Sequence, residues 1–228
     1  MDDKMKRMMI LLICAALGLP HAYAQFTVGA KAGLNVASIG NVTVYPSNPL
    51  PGDLESWTLE YGYLPGAHVG GYARYDFSPL FSVQTELLYS QMGYKISVPT
   101  VDIGGHVYGN VTGRMRLHYL NLPVLLRLTV PGSGLFAEVG PQPGLLLGSH
   151  GSVITESGER VGELAGASGP ATTFDLSGVA GLGYRWKNGL ALSAHYVHEF
   201  KTSEKKFIPF ITRKYAVQLS VAYDIKTF

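Results

Sequence analysis

Ser193, His195 and Glu199 bring a hydroxyl, an imidazole and a carboxylate into one short stretch. These are the groups from which a nucleophile, a base and an orienting acid are assembled. Their spacing argues against direct contact. Leu190, Leu192, Ala194 and Tyr196 alternate with Ser193, His195 and Val197, so the stretch is a strand with one apolar and one polar face. His195 and Glu199 then stand about 13 Å apart along that polar face. A working triad would need a carboxylate from a neighbouring strand, with Asp175 as the candidate. The plainer reading of the same residues is a buried hydrogen-bond network. His106, His118 and His150 have no metal-ligand spacing, and Cys14, the only cysteine, stands in the first segment. The glycines from Gly178 to Gly183 fall inside a strand, where they give the wall room to curve and do not form a phosphate cradle. No cofactor or metal is expected. No run of charge points to nucleic acid.

The elements around this strand repeat its pattern. Phe174, Leu176, Ala180, Leu182, Tyr184 and Trp186 alternate with polar residues or glycine, and so do Tyr215, Val217, Leu219, Val221, Tyr223 and Ile225. The first strand sets Phe26, Val28, Ala30, Ala32, Leu34 and Val36 against Thr27, Gly29, Lys31, Gly33 and Asn35. Residues 1–24 read as an export signal. Lys4, Lys6 and Arg7 precede an apolar run from Met8 to Leu19, too short for a membrane helix, and Ala22-Tyr23-Ala24 is a cleavage site. Cleavage after Ala24 leaves residues 25–228 as one all-β domain.

Punctuation gives the wall a direction. Short turns at Ser78-Pro79, Pro131-Gly132-Ser133-Gly134 and Lys187-Asn188-Gly189 alternate with long polar stretches near 38–66, 95–114, 148–172 and 201–212. Short periplasmic turns and long outer loops are the layout of an outer-membrane barrel. The strands fall near 26–37, 67–77, 80–94, 115–130, 135–147, 173–186, 190–200 and 213–225. The fold class expected is therefore all-β: an eight-stranded antiparallel up-and-down transmembrane barrel, closed because an unpaired edge is untenable in hydrocarbon. A soluble lipocalin-like barrel is the competing fold, but it would have to turn the polar faces outward.

Lys31, Arg74, Asp76, Glu86, Arg127, Glu138, Asp175, Arg185, Glu199, Lys214 and Asp224 all fall on the polar face and are expected to point into the lumen and pair. An eight-stranded barrel is just wide enough to be filled by side chains, so the lumen reads as a plug. Tyr75, Phe77, Phe81, Tyr184, Trp186 and Tyr223 lie near the short turns, with Tyr89, Tyr196, Phe200 and Tyr215 toward the loops, as two interfacial belts would. Pro123, Pro141 and Pro143 gather at one height of one hairpin, where they mark either a bulge or a weakened seam.

Recognition is expected in the loops. Tyr45, Trp57, Tyr61 and Tyr63 in the first loop could meet a sugar or protein, or fold back to close the lumen. Lys201, Lys205, Lys206 and Arg213 in the last could meet lipopolysaccharide phosphates.

The stretches Ala30-Lys31-Ala32-Gly33-Leu34-Asn35, Glu86-Leu87-Leu88-Tyr89-Ser90-Gln91-Met92-Gly93, Tyr119-Leu120-Asn121-Leu122-Pro123-Val124 and Glu138-Val139-Gly140-Pro141 resemble the PorT-like outer-membrane β-barrel family of Bacteroidetes. The resemblance runs through the whole chain after the signal. It implies an eight-stranded outer-membrane barrel without a family active site, in contact with outer-membrane lipid and lipopolysaccharide. The namesake serves in protein secretion, which makes envelope or secretion proteins candidate partners. The readings in play are a structural or adhesive barrel, a secretion or envelope-assembly component, a lipid-modifying or proteolytic barrel enzyme, and a narrow pore.

Overall fold

The computed structural model describes residues 25–40, 42–44, 57–59, 61–101, 107–155, 160–163, 173–201 and 214–228. Residues 1–24, expected to be an export signal, and most of the long-loop tips lie outside them. The described residues form twelve strands and no helix: β1 (Gln25–Ile39), β2 (Val42–Val44), β3 (Trp57–Leu59), β4 (Tyr61–Asp76), β5 (Phe81–Val101), β6 (Val107–Asn121), β7 (Val124–Thr129), β8 (Leu135–Thr155), β9 (Arg160–Glu163), β10 (Thr173–Arg185), β11 (Leu190–Lys201) and β12 (Lys214–Thr227).

All pairings are antiparallel, and the order β10-β11-β12-β1-β4-β5-β6-β8 is closed by a β8–β10 ladder. β7 continues the line of β6, also between β5 and β8. The result is a barrel of eight staves. β2 and β3 form a separate small hairpin, and β9 extends β8. The short turns stand where the sequence puts them, and Gly132, Gly134 and Gly189 carry the left-handed backbone that they need (φ 78°, 82° and 85°).

The two faces divide as the period-two pattern requires. Outside, Leu34, Val69, Leu87, Val139, Leu182, Leu219 and Val221 are each about half exposed or more. In a soluble protein these would be a liability; against hydrocarbon they are the solvent-matched surface. The aromatic belts are also in place. Phe26–Phe228, Tyr75–Phe77 and Tyr184–Trp186 pack near the short turns. Tyr63–Tyr215, Tyr89–His118 and Tyr196–His198–Phe200 pack toward the long loops.

Two local expectations change. The strands run further toward the loops than the alternation suggests: β5 reaches Val101, β8 reaches Thr155, β4 starts at Tyr61 and β6 at Val107. Above the lipid neither face needs to be apolar, so pairing outlasts the pattern. Around the prolines, the ladder is interrupted at Leu122-Pro123, between β6 and β7. Neighbouring backbone bonds hold the wall across the gap: the Leu122 amide donates to Pro143 O (2.9 Å), and the Glu86 amide to Pro123 O (3.0 Å). The register shift of this hairpin lies higher, between His118 and Tyr119 against β8.

Candidate functional site

The lumen is built in layers. At the short-turn end, Arg74 is held between Asp76 (Nε to Oδ1, 3.1 Å) and Asp224 (Nη2 to Oδ2, 3.1 Å), and Arg185 also reaches Asp224 (3.2 Å). The Tyr72 hydroxyl donates to Asp224. Arg185 is the most open of these side chains at 39% exposed, because it faces the mouth.

The next layer holds two buried polar chains, one around Glu86 and one around Glu138. Lys31 Nζ donates to both oxygens of Glu86 (2.9 and 2.8 Å), which also accepts from Gln84 (2.6 Å). Arg127 donates from Nε and Nη2 to Glu138 Oε1 (2.8 and 2.7 Å), while its guanidinium stacks 3.9 Å above the Phe136 ring. Glu138 Oε2 meets His195 Nε2 at 2.6 Å. Beside these, His68 bridges Asn35 (2.7 Å) and Ser220 (2.9 Å), and Asn35 donates to Ser90 (3.0 Å).

Further toward the loops the filling turns apolar: Ala37, Leu125, Val179, Val197 and Ala216 form one buried cluster with Met92 against it. The upper mouth carries a last polar group, in which Lys214 Nζ meets Asp175 (2.8 Å) and Glu199 (3.3 Å) and donates to the Tyr119 hydroxyl.

Glycine makes several of these contacts reachable. Contacting residues often sit two strands apart, with a strand between them. His195 on β11 and Glu138 on β8 both pair in register with Gly181 of β10. A Cβ at Gly181 would stand 2.3 Å from His195 Cδ2. His68 reaches Ser220 across Gly33 in the same way, where a Cβ would lie 2.6 Å from the imidazole.

All eleven charged residues singled out from the sequence therefore have a place. Seven are buried, and Asp76, Asp224, Lys214 and Arg185 line the two mouths. Sequence reasoning left Gln84, Asn35, His68, Tyr72, Tyr119 and Ser220 out of the network. Inward parity was the available signal, joined at Tyr72 by Gly29 and at His68 and Ser220 by Gly33 in the neighbouring register.

The triad considered for His195 does not form. Its carboxylate partner is Glu138, which also holds Arg127, whereas Asp175 is engaged by Lys214. His195 and Glu138 side chains are each 1% exposed, so both are closed off from solvent. Among the described residues no group of three or more His, Cys, Asp or Glu is arranged to hold a metal.

Of the first-loop aromatics, Tyr61 packs edge-on against Tyr94 (5.4 Å) and Tyr63 against Tyr215 (6.1 Å), with Tyr63 57% exposed. Trp57 opens β3 opposite Val44. Tyr45, Lys205, Lys206 and Arg213 lie outside the described residues.

A closed antiparallel barrel with an apolar exterior, aromatic belts and a charged interior is a membrane-spanning barrel. The chain belongs to the family described as "Outer membrane protein beta-barrel domain", whose profile matches residues 21–202. It is an outer-membrane β-barrel protein. No curated protein sequence matches it.

Among solved structures it is similar to neisserial surface protein A (15% identity, 88% of this chain and 97% of that chain, TM-score 0.45). It is also similar to Ail of Yersinia pestis, solved with the heparin analogue sucrose octasulfate (12%, 90% and 99%, TM-score 0.43). A third is OprG of Pseudomonas aeruginosa (8%, 90% and 96%, TM-score 0.40).

Proposed function

We propose that this protein is a non-enzymatic, non-conducting barrel that anchors binding loops at the cell surface. The observation that carries this reading is the filling of the lumen. Ion pairs at 2.7–3.3 Å stand at three levels, and the apolar cluster around Leu125 and Val197 lies between the middle and upper levels. Water and ions would have to pass an apolar constriction that dewets. Chemistry inside the barrel would need a substrate route that the filling denies. The recognition chemistry is then left to the loops, through the Tyr45, Trp57, Tyr61 and Tyr63 region. In this reading residues 1–24 are the export signal, removed after Ala24.

A second reading has its own support. The short-turn end opens into a vestibule of about 1150 Å3, lined by Arg74, Arg127, Arg185, Lys187 and Lys226 with only Asp76 and Asp224 as acids. A net basic cup facing the periplasm suits an acidic partner segment, as a PorT-like secretion or envelope-assembly component would require. Co-purification in mild detergent separates the two readings. Loss of partners on deleting the first loop supports surface binding. Partner loss on substituting Lys187 and Lys226, with loop deletions silent, supports the periplasmic role.

A further inference from the structure

Above the apolar band, the outer surface of the barrel divides into two unlike flanks. On one side, on β4, β11 and β12, it is aromatic: Tyr63 packs on Tyr215, Tyr196 on His198 and His198 on Phe200. On the other, across β5, β6 and β8, it is cationic. Met115, Leu117 and Tyr119 of β6 pack into the interior, so Arg114, Arg116 and His118 between them project outward. The register sets Lys95 beside Arg114 on β5, and His150 beside Arg116 on β8. Directly below, with the same outward parity, stand Tyr89, Leu120 and Leu147, each at least 37% exposed.

Among the described residues neither Lys95, Arg114 nor Arg116 has an acidic partner, and Arg114 Nε is buried without an acceptor. His118 is oriented by the Tyr89 hydroxyl at its Nδ1 (2.6 Å). Positive charges adjacent on neighbouring strands repel one another, so Lys95, Arg114 and Arg116, with no acid opposite them among the described residues, suit an anion from outside the chain.

We propose that this β5–β6–β8 flank is a docking site for a phosphorylated glycolipid of the outer leaflet. The apolar residues below take its acyl chains and Lys95, Arg114 and Arg116 take its phosphates. The continuity of the cations with the apolar band argues for an amphiphile over a soluble anion. The step from His118 to Arg114 is about 13 Å along the strand, enough to serve more than one phosphoryl group. Guanidinium groups suit the task because they pair with phosphate in a bidentate manner. The inference rests on the outer-membrane placement, and it adds an orientation: one particular flank faces the anionic lipid, and the aromatic flank does not.

The test uses the full barrel, refolded in phosphatidylcholine bilayer discs that carry a small fraction of labelled diphosphorylated lipid A, with EDTA present to remove bridging cations. Retention of the label is compared for the unsubstituted protein, for the triple variant K95Q/R114Q/R116Q, and for a control variant K187Q/K226Q at the opposite mouth. Each cation near an anionic surface contributes about fivefold, so the triple variant should bind on the order of a hundredfold more weakly. The control should bind like the parent, and lipid A stripped of phosphate should bind both poorly.

Heat-dependent gel mobility confirms that each variant is a folded barrel. Equal retention by the triple variant and the parent, or equal retention of the phosphate-free lipid, overturns the site while leaving the barrel reading intact. Displacement by millimolar inorganic phosphate alone would mark a small-anion site and overturn the lipid assignment. Failure of the unsubstituted chain to insert would overturn both.

Discussion

Replacing Glu138 with leucine removes the one carboxylate that serves both Arg127 and His195. Glu138 is 3% exposed and Arg127 6%, and the guanidinium makes two bonds to Oε1 at 2.8 and 2.7 Å. Breaking a buried pair by removing one partner leaves an uncompensated charge and typically costs about 3–5 kcal/mol. Arg127 also lines the basic vestibule, so it can turn toward water. That relief sets the expectation at the lower end, about 3 kcal/mol. In the double variant R127M/E138L no charge remains stranded, and replacing a buried pair with apolar groups of similar size is often neutral or stabilising. The double variant should therefore recover most of the loss. Reversible urea unfolding of the refolded barrel in lipid vesicles, followed by tryptophan fluorescence, measures all three species. A loss under about 1 kcal/mol for E138L, or a double variant worse than the single, would refute the claim that the lumen is held by desolvated pairs.

Other outcomes are expected from the same geometry. Gly181→Val places a side chain where the His195 imidazole lies, and such overpacking should cost about 1–3 kcal/mol in the same unfolding assay; an unchanged midpoint would mean that the contact is not made across this glycine. Val221→Arg, on the outer face opposite Ala32, should cost about 2–4 kcal/mol in vesicles, and a neutral result would place that face away from lipid. Amide exchange in micelles should find the Leu122 and Glu86 N–H groups strongly protected, since both donate across the proline region; fast exchange there would restore the idea of an open seam.

Much of this architecture could be read from the chain because it depends on neighbours in sequence. Phe26 to Val36 alternate around Lys31 for a local reason, the two-residue period of a strand, and Gly132, Gly134 and Gly189 sit in turns only a few residues long. Strand ends were harder to see, because Lys95 to Val101 and Ser149 to Thr155 stand above the lipid and lose the apolar half of the pattern. Partner choice inside the lumen was harder still. Which acid meets His195 depends on the stagger between β8, β10 and β11 and on the space that Gly181 leaves, and nothing in residues 190–200 contains either. The same holds for His68, whose bridge from Asn35 to Ser220 joins three strands that are distant in sequence.

The central claim is that the lumen is filled and closed, and planar-bilayer recording of the purified barrel tests it most directly. The account predicts no unitary current steps from the unsubstituted protein at either polarity, at neutral pH and moderate salt. Stable, reproducible open steps from a preparation shown to be folded and free of porins would contradict it, because in this reading the Leu125–Val197 cluster and the ion pairs on either side of it close the path for water.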